Sequence, residues 1–143
     1  MSSITSANAV LMLGVSSLFS TPQQIQGFST DDIFSVDPLE SAETMMGVDG
    51  FLSAGFVYVP VKQGITLMAD SPSNNVFDQW WAAQQQISDL YFANGSITLT
   101  ALGKKYAMTR GALTTYPPLA DAGRTLKPRK FVITWQSILP APV

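Results

Sequence analysis

The sequence has no cysteine and no histidine. The first absence excludes disulfide scaffolds and thiol nucleophiles. The second removes Ser-His and Cys-His dyads, His-based metal sites and the side chain that ordinarily titrates near neutrality. Charge is scarce too, at 13% of residues against about a quarter in ordinary globular domains. The polar surface must therefore come from Ser, Thr, Gln, Asn and backbone. What is abundant is apolar side chain: the AVILMFWYC set supplies 46% of 143 residues, a length that suits a single domain spanning 1–143.

The few charges are unevenly placed. Asp31, Asp32, Asp37, Glu40, Glu43 and Asp49 all precede the first basic residue, Lys62, after which eight Lys and Arg outnumber Asp70, Asp78, Asp89 and Asp121. Two readings stand side by side. One is chance in a weakly charged chain. The other is an acidic surface of one copy meeting a basic surface of the next, complementary potentials setting the register. No Lys/Arg cluster offers a footprint for neutralising phosphates, which disfavours sequence-reading DNA or RNA binding. Arg110, Arg124, Lys127, Arg129 and Lys130 read better as scattered solubility charges, because the aromatic interleaving of single-strand platforms is missing.

The apolar segment 9–19 lacks the positively charged flank of a secretion signal and is too short and too interrupted by Ser and Gly to span a bilayer. It reads as an N-terminal strand in a soluble chain made in a cytoplasm. Residues 23–29 alternate with period two around Ile25, and 33–36 form a short partner. Residues 37–50 have turn formers at both ends and little periodicity, and read as a long connection. Phe51 to Pro60 and Gly64 to Asp70 read as two strands joined through 61–64.

A helix over about 72–90 is predicted from Ser71, Pro72 and Ser73, with Ser71 or Ser73 as cap and Pro72 at the first helical position. Val76, Trp80, Ala83, Ile87 and Leu90 supply its apolar stripe, Phe77, Trp81 and Gln84 flank it, and Asp78 sits near the positive end of its dipole. Residues 95–103, 104–115 and 128–139 complete the set of strands, with Phe131, Ile133 and Trp135 on one face of the last. The fold class is mainly β: a β-sandwich or barrel-like fold with one flanking α-helix and a long loop/hairpin arm at about 37–62.

No constellation of nucleophile, base and oxyanion donor can be assembled, so no catalytic residue is assigned and the chain is read as no enzyme. Asp31-Asp32 reads as a solvated turn. Asp70, Asp78 and Asp89 lack the spacing of a calcium loop, and 103–105 lacks the rest of a P-loop, so no metal and no cofactor are expected. Trp80-Trp81 leaves two readings open, both rings in the core or one anchoring another subunit. Met45, Met46, Phe51, Phe56 and Tyr58 put more apolar surface on a loop and hairpin than one small domain buries easily, so core and intersubunit roles are even.

The acidic segment leading into Glu43-Thr-Met-Met-Gly-Val-Asp-Gly50, the passage Gly64-Ile-Thr-Leu-Met68, and Ser71-Pro-Ser-Asn-Asn75 opening a helix resemble the tail tube proteins of contractile-tailed bacteriophages over residues 23–138. The resemblance implies a virion protein: six copies per ring, rings stacked into a hollow tube, and genomic DNA passing through the lumen without specific contacts. The implied partners are further copies of the chain, a tail sheath protein, and baseplate and tail-terminator proteins. The arm would reach across to neighbouring subunits. Glu43, Met45, Met46, Asp49, Phe51, Phe56, Tyr58, Trp81 and Lys104 are the candidate intersubunit contacts. A tail-terminator or baseplate-hub ring of the same fold, and a β-sandwich module binding a host-surface sugar, are the alternatives.

Overall fold

The computed structural model describes residues 9–16, 18, 21–26, 28, 34–100 and 102–142. In chain order its elements are β1 (Ala9–Val15), β2 (Gln23–Ile25), β3 (Phe34–Val36), β4 (Ala42–Met46), β5 (Leu52–Phe56), β6 (Val61–Leu67), α1 (Asn74–Ile87), β7 (Ala93–Leu99), β8 (Lys104–Thr115) and β9 (Arg129–Ala141). Seven strands form one sheet in the order β2-β1-β7-β8-β9-β6-β3, every pairing antiparallel. The sheet curls into a half-barrel, so the mainly β class with one helix stands in its barrel-like form. β4 and β5 pair with each other as a separate ribbon.

Period-two alternation decides which side of each strand faces inward. Leu11, Leu13 and Val15 of β1, and Phe131, Ile133 and Trp135 of β9, are buried while their neighbours are less so. The turn between β7 and β8 needs the left-handed conformation that Gly103 supplies at φ +64°. Within β8, Arg110 adopts φ 47° beside a register shift, its N–H donating to Asn94 Oδ1 at 3.0 Å. The bulge lets both Met108 and Gly111 face the core.

The two sheet edges nearly meet. Ile25 pairs with Leu11 at one edge, and Phe28, three residues on, bridges Leu67 at the other. Two serines ahead of α1 fasten this seam. Ser73 Oγ accepts the Gln26 N–H at 2.8 Å, and Ser71 Oγ donates to the Gln26 carbonyl. Ser73 is the N-cap residue but makes no capping bond with its own side chain; its N–H donates to Ser71 Oγ at 3.2 Å.

Several expectations change. α1 is shorter than 72–90, because Ser88 ends it in the left-handed conformation at φ 53°. Its buried face carries Phe77, Trp80 and Gln84, and Ile87 and Leu90 are half exposed. The stripe is rotated because Gln84 is held inside: its Oε1 accepts the Tyr91 N–H at 3.2 Å. Asp78 lies in the second turn, beyond the dipole's reach, and pairs across to β9 instead.

Residues 51–60 and 64–70 are not partners. Residues 61–64, read as their turn, are the first half of β6, which pairs with β9 and β3. Gln63 fits this buried strand because Trp135 Nε1–H donates to its Oε1 at 2.9 Å. Part of the long connection 37–50, Ala42–Met46, is strand β4, and since β6 belongs to the main sheet the arm ends at about residue 60. The Asp31-Asp32 turn falls outside the described residues.

Candidate assembly surface

The arm is a hairpin with both faces exposed from Ala42 to Phe56. Its base closes where the Val57 N–H donates to the Ser41 carbonyl at 2.8 Å, and its tip where the Gly47 N–H donates to the Phe51 carbonyl at 2.8 Å. The tip turn is specified by local chemistry. Gly50 sits at φ +86°, and Asp49 Oδ1 accepts the Phe51 N–H at 3.1 Å.

Pairing of Met46 with Leu52, Thr44 with Ala54 and Ala42 with Phe56 puts one almost wholly apolar face on this ribbon. The other carries Glu43, Met45, Ser53 and Gly55. Met45, Met46, Phe51 and Phe56 are 63–76% exposed and Tyr58 is 91% exposed, so the core reading of these residues is overturned. Phe56 and Tyr58 meet edge to face at 4.9 Å, just where the hairpin leaves the barrel. A two-stranded ribbon on its own is marginal in water, and these apolar side chains are left uncovered by the described residues.

The remaining candidates lie elsewhere. Trp80 is fully buried, its Nε1–H donating to the Tyr91 carbonyl at 2.9 Å, whereas Trp81 is 36% exposed and stacked on Tyr116 at 5.0 Å. The reading with both rings in the core therefore fails. Lys104 opens β8 opposite Leu99, exposed, at a turn remote in sequence from the arm. Glu43, Asp49, Phe51 and the two methionines are brought together in the arm; Lys104 and Trp81 are not part of that cluster.

Sequence reasoning missed the best-built polar group. Arg129 donates to Asp78 Oδ1 at 2.9 Å and to the Pro117 carbonyl at 2.7 Å, and the Tyr116 hydroxyl donates to the same Asp78 oxygen. Burial pushes the Asp78 carboxyl up, yet the hydrogen bonds from Arg129 and Tyr116 outweigh it and leave its pKa below the ordinary value. Burial, and then the bond to Asp78, raise the Tyr116 hydroxyl. This cluster ties α1 to β9 and to the loop that follows β8. Arg129 and Tyr116 lie 51 and 38 positions from Asp78, a separation that gives no local pattern, so nothing in the sequence signalled the group.

The fold, an all-antiparallel curled sheet with one helix, recurs among known structures. Three solved structures carry it. A chain of the anti-feeding prophage baseplate matches at TM-score 0.60 and 11% identity, covering 100% of this chain and 98% of its own. A chain of the anti-feeding prophage tube-terminating cap matches at 0.63 and 10%, covering 100% and 93%. A chain of the PVC extracellular contractile injection system's sheath-tube complex matches at 0.56 and 12%, covering 93% and 88%. No curated protein matches. The family described as Tail fiber protein gp32 matches residues 2–139, and the chain belongs to it. It is a tail-associated structural protein of phage-like particles, and the family's description names the tail without naming the tube.

Proposed function

We propose that the chain is a ring-forming subunit of the inner tube of a phage tail or a related injection device. The observation that carries this reading is the arm, a ribbon with uncovered apolar side chains on both faces. Such a projection is completed by burial against a different patch of a neighbouring copy. A contact between two unlike patches closes into a ring or propagates as a filament.

In this role rings of six copies stack into a conduit, genomic DNA slides through the lumen without sequence-specific contacts, and the outer surface docks a sheath. Particles assemble in the host cytoplasm with baseplate and terminator proteins, and no chemistry is required of the subunit. A second reading, a single ring that caps a tube or joins a baseplate, is supported by the likeness to baseplate and tube-terminating cap chains.

Electron microscopy of the purified chain across a concentration series separates the two. Hollow striated tubes are the expected result. Isolated rings would assign the chain to a cap or baseplate, and a monomer at every concentration would overturn both and favour the sugar-binding alternative.

A further inference from the structure

α1 covers one end of the barrel, where Phe77 stacks on Phe131 of β9 at 4.2 Å. Seven residues further along β9, at about 23 Å by strand rise, the described residues leave a recess. There Phe34, Val36, Ile97, Leu99, Tyr106 and Ile138 line an apolar recess of about 270 Å³. These side chains come from β3, β7, β8 and β9.

Directly paired residues of antiparallel strands project to the same face. Tyr106 pairs with Ile97, and Lys104 with Leu99, so Lys104 stands on the recess side of the sheet, at its rim. No ion pair to Lys104 is present among the described residues.

We propose that this recess receives the arm tip of a second copy of the chain. The inference rests on the ring-forming reading above and names the surface that completes the arm. Three observations support that occupant. The arm tip offers what the recess lacks: Met45, Met46, Phe51 and Leu52 are exposed apolar side chains, and methionine sulfur against the Tyr106 and Phe34 rings is a favourable contact. The tip also carries Glu43 and Asp49, opposite in sign to the rim Lys104. Finally, the arm begins at Asp37, immediately after the recess residue Val36, and is paired from Ser41–Val57 to Met46–Leu52. A ladder of that length holds its tip about 17 Å from its base, so the tip cannot fold back into the recess beside its own root without breaking the ribbon. A copy's arm thus fills its neighbour's recess while its own recess receives another arm, which is the unlike-patch contact that closes rings.

Because the chain has no cysteine, single cysteines report the contact cleanly. Full-length Met46→Cys and a mass-tagged Val36→Cys are mixed under assembling conditions and treated with a short bismaleimide, with Leu99→Cys as a second recess position and Thr125→Cys as a control on a remote loop. A mixed cross-linked dimer is expected from both recess positions and none from the control. Lys104→Glu reduces its yield about fivefold, and adding Asp49→Lys restores it, as one rim charge pair predicts. Rings or tubes without a mixed cross-link would overturn this docking site and leave the ring-forming reading intact. An intrachain cross-link in the Met46→Cys/Val36→Cys double variant would overturn the second copy as occupant. Absence of any assembly by microscopy would remove the ring-forming reading itself, and an unchanged yield in Lys104→Glu would overturn the rim contact.

Discussion

Phe77 and Phe56 are the same side chain in two regions of one molecule. Phe77 is fully buried between Trp80 and Phe131, its ring stacked on the latter at 4.2 Å. Phe56 is 72% exposed, with the Tyr58 ring against it. In the barrel, apolar residues find their partners within the chain, and in the arm they do not. The barrel's shape is thus decided by its own burial, whereas the arm has a turn and a ladder but no core, and its apolar area stays exposed.

Substitutions can break or sharpen that contrast. The largest expected effect is Phe77→Ala, which leaves a cavity under Phe131 and costs about 3–5 kcal/mol in denaturant unfolding. Next is Gly111→Ala in β8. A Cβ there meets the buried Trp135 ring at 2.5 Å and Ile133 Cγ2 at 2.8 Å, so overpacking costs about 1–3 kcal/mol.

A smaller and pH-dependent loss follows from Asp78→Asn. Because the folded carboxyl titrates below its unfolded value, the contribution of Asp78 is present above that unfolded value and is lost as pH falls through the lower folded one. Asp78 is 40% exposed, which screens the pair, so the variant loses about 0.5–1 kcal/mol at neutral pH. The difference from the parent vanishes in strong acid, which chemical denaturation at a series of pH values measures.

Smallest of all on monomer stability is Phe56→Ser, within about 0.5 kcal/mol, since nothing in the barrel depends on it. Its assembly is lost nevertheless, as sedimentation velocity reads. Equal destabilisation of the monomer by Phe56→Ser and Phe77→Ala would erase the distinction between the two regions.

The same contrast decides what was legible in the sequence. β8 spans Lys104 to Thr115, the bounds expected for the partner of 95–103 beyond the turn at Gly103, and β9 shows Phe131, Ile133 and Trp135 inward because one buried face imposes a period of two. β4 could not be read that way. With both faces exposed, Ala42 to Met46 has no reason to alternate, and Met45-Met46 breaks any pattern.

Other misreadings trace to polar residues that the fold buries. Gln63 made 61–64 look like a turn, although Trp135 provides its hydrogen bond, and Gln84 rotated the face of α1. Of the candidate contact residues, the arm set was visible as surplus apolar surface. The recess was not, because Phe34, Leu99, Tyr106 and Ile138 lie on four strands that only the topology brings together.

The seam at Gln24 to Phe28 has a kinetic consequence. The bonds from Ser71 and Ser73 to Gln24 and Gln26 span 45–49 residues, and they join the helix entrance to the place where the sheet's two edges meet. Contacts of such long range form late, because the loop they close must first be ordered. Until then a refolding chain presents two open strand edges, each a template for another chain. The serines ahead of α1 therefore set how long a newly made subunit stays vulnerable to wrong pairing before it is fit to join a particle.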